Sequence, residues 1–277
     1  MDSQVECSRL PVRANLRVPF AGSLLLAALM AIGSFAGLLF PGAVYPTPDL
    51  LRSFRPNDAV NLVVGVPVLL VSLWLARRGR LVGLLLWPGA LLYALYNYLP
   101  LLVCTPLNIG FLLPLALVTL SVCTLVGLLL CTDGEKVRQR LAGAVPEKGG
   151  GAILTVSGVL VLSRAAALMI MAVLDHAPLA VTDLAVDVTD VLIVPAWILG
   201  GVQLFRRRPF GYATGLGLLF QASALFVGLV AYMAVRPFLS GGGFKPVDVS
   251  VVIGAGLFFF IPCGLFVRGV ARRDRTM

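Results

Sequence analysis

The sequence predicts an all-α, polytopic transmembrane bundle of about eight spans, and three observations predict it. Hydrophobic residues make up 59% of the 277 positions and charged residues 13%, about half the charged share of a soluble domain. Apolar residues gather in runs of roughly 20, long enough as helix to cross ~30 Å of hydrocarbon. Basic residues collect in alternate gaps between those runs, as they do in membrane proteins of fixed orientation.

The polar start, with Arg9, Arg13 and Arg17, leads into a first apolar run, Pro19–Phe40. That run is longer than the core of a cleaved signal peptide and lacks its cleavage site, so it reads as a retained span. The second run is Ala59–Ala76, ended by the RRGR turn at 77–80. Leu81–Leu102 and Leu107–Cys131 follow as spans three and four. Residues 132–151 form a charged linker that ends in a glycine run. Ala152–Leu174, Leu184–Phe205, Phe210–Val235 and Val249–Val270 complete the set, with the RRRP turn at 206–209 between spans six and seven. Barrel strands would show alternating segments of about ten residues. None occurs, and helix is the remaining way to satisfy a backbone in lipid.

Orientation follows from the basic residues. With the N-terminus inside, the inner segments hold Arg9, Arg13, Arg17, Arg77, Arg78, Arg80, Lys136, Arg138, Arg140, Lys148, Arg206, Arg207, Arg208, Arg268, Arg272, Arg273 and Arg275. These are seventeen of the 22 Lys and Arg; the outer segments hold Arg52, Arg55, Arg236 and Lys245. Both termini are therefore expected on the cytoplasmic side. The net charge of +9 has the same cause, and no nucleic-acid-binding motif accompanies it. The lipid bilayer is the expected partner, and nucleic acid is not.

The linker separates a first half, residues 1–131, from a second, residues 152–277. Val66-Pro67, Arg78, Arg80 and Gly83 recur 128 positions later as Val194-Pro195, Arg206, Arg208 and Gly211. Asp58 and Asn61 correspond to Asp187 and Asp190 with a slip of one. Two parallel four-helix repeats, related by an axis along the membrane normal, would produce this pattern.

An ionisable residue inside a span is costly and is a functional candidate by default. Arg164, in the middle of span five, is the one basic residue that the topology leaves unexplained. Asp183, Asp187 and Asp190 share one face of span six by their i, i+4, i+7 spacing, and an Arg164–Asp190 ion pair is expected. A polar pocket lined by Arg164, Asp187, Asp190, Asp58, Asn61 and Gln221 is the candidate site. The competing expectation is that the pair is only structural. Pro67 and Pro195 would bend their spans. Tyr93, Tyr96 and Tyr98, with Asn97, are expected in the aromatic belt at the outer end of span three.

No metal-binding cluster, P-loop, nucleophile elbow or dinucleotide fingerprint is present, and no cofactor is expected. The five cysteines form no CxxC pair. Three function classes remain. The first is a transporter of a small solute or ion, which should show kinked helices and a cavity reaching the aspartates. The second is a non-catalytic accessory or sensor subunit. The third is a membrane enzyme acting on lipid or quinone, with Asp187 or Asp190 as acid or base.

Four stretches carry a resemblance: SFRPND at 53–58, GVPVLLVSLWLARRGRLVGLLLWPGALLYALYNY at 65–98, FLLPLALVTLS at 111–121 and VPAWILGGVQLFRRRPFGY at 194–212. They cover well under half of the chain, and SFRPND and the arginine turns are their specific parts. The chain resembles a group of prokaryotic multi-pass membrane proteins that has no assigned activity. The resemblance implies a prokaryotic plasma membrane and nothing about mechanism.

Overall fold

Residues 10–176, 179–240 and 243–275 are described by a computed structural model of the chain. The α-helices of eight or more residues are α1 (Arg17–Leu39), α2 (Pro48–Val60), α3 (Val66–Arg77), α4 (Leu81–Cys104), α5 (Leu112–Cys131), α6 (Gly134–Leu141), α7 (Glu147–Leu174), α8 (Val181–Ile193), α9 (Pro195–Phe205), α10 (Pro209–Ser240) and α11 (Pro246–Arg275). Among the described residues there are eight helical segments long and apolar enough to cross a membrane. The chain is an integral multi-pass membrane protein in which α2–α3 and α8–α9 each form one span.

Helix ends follow local chemistry. Pro48, Pro195, Pro209 and Pro246 stand at helix starts, where a proline's missing N–H costs nothing. Span two begins eleven residues before its apolar run, at Pro48. The Thr47 side chain accepts from Leu50 N, and Asp49 occupies the first turn, so the polar PDLLRSFRPND segment is capped into helix. Span five likewise begins at Glu147, inside the expected linker. Its glycines permit close packing, since a Cβ on Gly151 would stand 2.7 Å from the Gly201 carbonyl.

A π-helical turn, Asn61–Gly65, joins α2 to α3. Such a turn inserts one residue into an α-helix. Asp58 precedes Pro67 by nine residues, whereas Asp187 precedes Pro195 by eight. The inserted residue accounts for the one-position slip seen in the sequence.

The two arginine turns have the same backbone pattern. Arg78 N, Gly79 N and Arg80 N donate to Trp74, Ala76 and Leu75; Arg206 N, Arg207 N and Arg208 N donate to Val202, Leu204 and Gln203. Every pair is 128 positions apart. Gly79 and Arg207 each take positive φ, 70° and 56°, the left-handed conformation that closes the turn. Glycine has no Cβ to strike the preceding helix, and at Gly83 and Gly211 a Cβ would collide with the backbone of Ala76 and Leu204.

Helices α4 and α10 run side by side through the centre, and α4 is the most buried span. They touch at Gly89 and Gly217, each the ninth residue of its helix. Around this pair α2 packs on α10 and α8 packs on α4. Outward-facing positions carry large apolar side chains, among them Ile32, Val63, Leu130, Leu160, Val173, Leu199 and Phe258. Apolar exposure on this scale suits lipid rather than water.

The arginine-rich end is tied together by polar contacts. Arg13 N donates to Cys131 O and Asp133 N to Pro11 O, which joins the start of the chain to the linker. Asp274 accepts from Leu81 N at 2.9 Å. Glu147 accepts from Tyr212 Oη at 2.7 Å and from Gly143 N at 2.7 Å, and pairs with Arg207 at 3.1 Å.

Candidate functional site

The polar residues singled out by the sequence fall into three places rather than one pocket. Arg164, on α7, donates through Nη2 to Asp187 Oδ1 and Asp190 Oδ2, both at 3.0 Å. The expected Asp190 partner is present, and Asp187 shares the same guanidinium nitrogen. Both carboxylates are buried, at 3% and 4% exposure, while the Arg164 side chain is 52% exposed on the outside of the bundle. Asp190 also accepts from Tyr96 Oη at 2.8 Å, which links this cluster to α4.

Asp58 and Asn61 form a second buried cluster near α1. Asp58 accepts from Tyr45 Oη at 2.5 Å, and the hydroxyls of Ser34 and Tyr98 lie 3.3 Å apart beside it. Asn61 is 1% exposed, and neither of its side-chain polar atoms has a partner. Gln221 is elsewhere again. Its Oε1 accepts from Trp197 Nε1 at 2.6 Å, and its Nε2 is unpartnered.

The tyrosines of α4 are not a membrane belt. Tyr93 and Tyr98 are buried, because α4 is the central helix and packs against α2, α8 and α10 instead of lipid. Sequence alone assigns them to the surface, since their position near a span end carries no sign of what surrounds the span.

Tyr93 and Tyr96 wall a cavity of about 410 Å3 at the end of the bundle opposite the arginine turns, whereas Tyr98 sits with Ser34 in the Asp58 cluster. Its lining comes from α2 (Ser53, Phe54, Asn57), α4 (Tyr93, Tyr96, Asn97, Pro100), α8 (Thr182, Asp183, Val186) and α10 (Leu225, Gly228, Leu229, Tyr232). Tyr93, about 18 Å along α4 by helical rise, forms its floor, and its hydroxyl is buried without a partner. Of the three aspartates on α8, only the exposed Asp183 lines the cavity. Asp187 and Asp190 stand behind Tyr96, closed against Arg164, so the cavity does not reach these two aspartates of the expected pocket.

No family model, curated protein or solved structure matches this chain. What the site can do follows from its own side chains. Among the described residues no group of three His, Cys, Asp or Glu could hold a metal ion. The cavity size is that of a small-molecule site, mostly apolar with a few converging polar groups. The sequence held one unused signal for it. Gly89 and Gly217 obey the same 128-residue offset as the prolines and arginines, and the cavity lies about one to four turns beyond them. Ser53, Phe54 and Asn57 likewise match Thr182, Asp183 and Val186 once the π-turn residue is counted.

Proposed function

We propose that this protein is a transporter of a small solute, with the cavity between its two halves as the binding site. The cavity itself carries the reading. It is lined from both halves and it reaches mid-span, with Tyr93 as its floor.

Further features support movement. Below the cavity, Leu85, Tyr212 and Leu216 are fully buried, so one end is open and the other closed. The halves meet at Gly89 and Gly217 with no side chain between them, a contact suited to rocking. Each half has one interrupted span, at Asn61–Gly65 and at Val194, as transporters often do near a binding site. In this reading the halves are parallel four-helix repeats. The arginine-rich end is cytoplasmic, both termini lie there, and the membrane is a prokaryotic plasma membrane.

Cysteine labelling tests the proposal. In a background without the native cysteines, Leu225→Cys should react with a membrane-impermeant thiol reagent from the outer side. Leu216→Cys, sealed in this conformation, should react from the arginine-rich side in a fraction of molecules. If Leu216→Cys never reacts from that side, the cavity belongs to a receptor and transport is refuted.

One observation favours an accessory subunit as the second reading. Span five is the least buried of the eight, yet it carries Arg164 half-exposed toward lipid. A partner helix that supplies an acidic group would cover it, and such a partner would co-purify with wild type and be lost from Arg164→Met.

A further inference from the structure

We propose that the cavity selects an organic cation: an amine or quaternary ammonium compound with an apolar portion. This rests on the reading of the cavity as a solute site. Four aromatic residues line it, Phe54, Tyr93, Tyr96 and Tyr232, and among the described residues its one charged lining residue is Asp183. Among the described residues no Lys, Arg or His is in its wall, in a chain whose net charge is +9. A cation over an aromatic face is attracted by the ring quadrupole, more strongly where water is excluded. An anion in the same place would meet ring faces and a carboxylate with no basic group to receive it.

The Arg164 cluster reinforces this preference from behind the wall. One guanidinium is shared by two carboxylates, so it offers the cavity no unpaired positive charge. Tyr96 donates its hydroxyl proton to Asp190 at 2.8 Å while its ring lines the cavity. A phenol that donates to a carboxylate is more electron-rich, and its face attracts a cation more strongly. Asn97 spends its Nδ2 on the Tyr93 carbonyl at 2.8 Å, which leaves its amide oxygen to accept from an ammonium N–H.

No arginine of the lining helices is itself among the residues of the cavity wall. Arg55 donates through Nη1 to Leu239 O at 3.2 Å. Arg52 and Arg236 are exposed, where solvent screens them.

The test is calorimetric titration of the purified full-length chain with three probes of matched size. They are benzyltrimethylammonium, its neutral carbon isostere neopentylbenzene, and benzenesulfonate. The cation should bind and the other two should not. Asp183→Asn should weaken the cation roughly fivefold, the upper effect of a partly exposed charge pair. Tyr232→Leu should weaken it about threefold. Asp183 is exposed, so its variant folds, and equal melting temperatures would verify that. Equal binding of the isostere, tighter binding of the sulfonate, or no effect of Asp183→Asn would overturn the assignment. If no probe binds, the cation class also falls, while transport is still decided by the cysteine labelling.

Discussion

Removing the Arg164 guanidinium strands two carboxylates inside the bundle. Asp187 and Asp190 are 3% and 4% exposed, and after Arg164→Met only the Tyr96 hydroxyl would face either of them. Breaking a buried ion pair from one side typically costs about 3–5 kcal/mol. A ceiling on that cost can be worked independently. A stranded carboxylate can take up a proton, which from an ordinary value near 3.9 costs roughly 4 kcal/mol at pH 7. The two figures agree, because Tyr96 holds one carboxylate and the other protonates. At a few degrees of melting temperature per kcal/mol for a chain of this size, Arg164→Met should melt about 10 °C lower. Arg164→Lys should fall between, since one ammonium lacks the planar fork that reaches two acids. The triple change Arg164→Met, Asp187→Asn, Asp190→Asn removes the stranded charge and should recover most of the loss. The assay is thermal unfolding of detergent-purified protein by intrinsic fluorescence. A triple variant as unstable as Arg164→Met, or an Arg164→Met with wild-type stability, would refute the reasoning.

The glycine crossing predicts an asymmetry. Gly89→Ala should destabilise by about 1–3 kcal/mol, because its Cβ would collide with the Gly217 carbonyl, whereas Gly217→Ala meets its closest atom at 3.0 Å and should cost less. Thermal unfolding of the two variants ranks them. At the arginine-rich end, Glu147→Ala leaves the buried Tyr212 hydroxyl without its acceptor, and about 1–3 kcal/mol of stability should go with it. Tyr212→Phe added to Glu147→Ala should then cost little more, which a double-mutant cycle reads. In the linker, hydrogen bonding from Arg138 holds the Glu135 carboxyl below its ordinary value. A depressed folded value means that its contribution is present above the unfolded value and lost as pH falls through the folded one. Carboxyl-labelled NMR titration should show the low midpoint, and Arg138→Met should return it to the ordinary range.

Membrane insertion, helix and the number of spans were legible because each depends on short-range chemistry. Twenty apolar residues cannot avoid lipid, and a backbone there must bond to itself. The Arg164 pairing was legible for a related reason. A charge in mid-span demands a partner, and a neighbouring antiparallel span offered acids at the same depth. Which of the other polar residues meet was not legible. Asp58, Asn61 and Gln221 looked equivalent to Asp187 and Asp190 along the chain. The bundle nevertheless gives Asp58 to Tyr45 and Gln221 to Trp197, contacts that depend on how helices rotate about their axes.

The sequence by itself determined eight apolar helices, a mid-span arginine with its acids, and a 128-residue recurrence that the arginine turns repeat in their hydrogen bonds. Only the tertiary structure decided that α4 lies at the centre, and that its tyrosines wall a cavity instead of a belt. The physical reason is that hydrophobicity measures transfer out of water and is almost blind to whether the new surroundings are lipid or another helix. Lipid tails and leucines are equally apolar, so burial within the bundle is decided by packing. Here the deciding feature is a pair of facing glycines that lets two backbones meet.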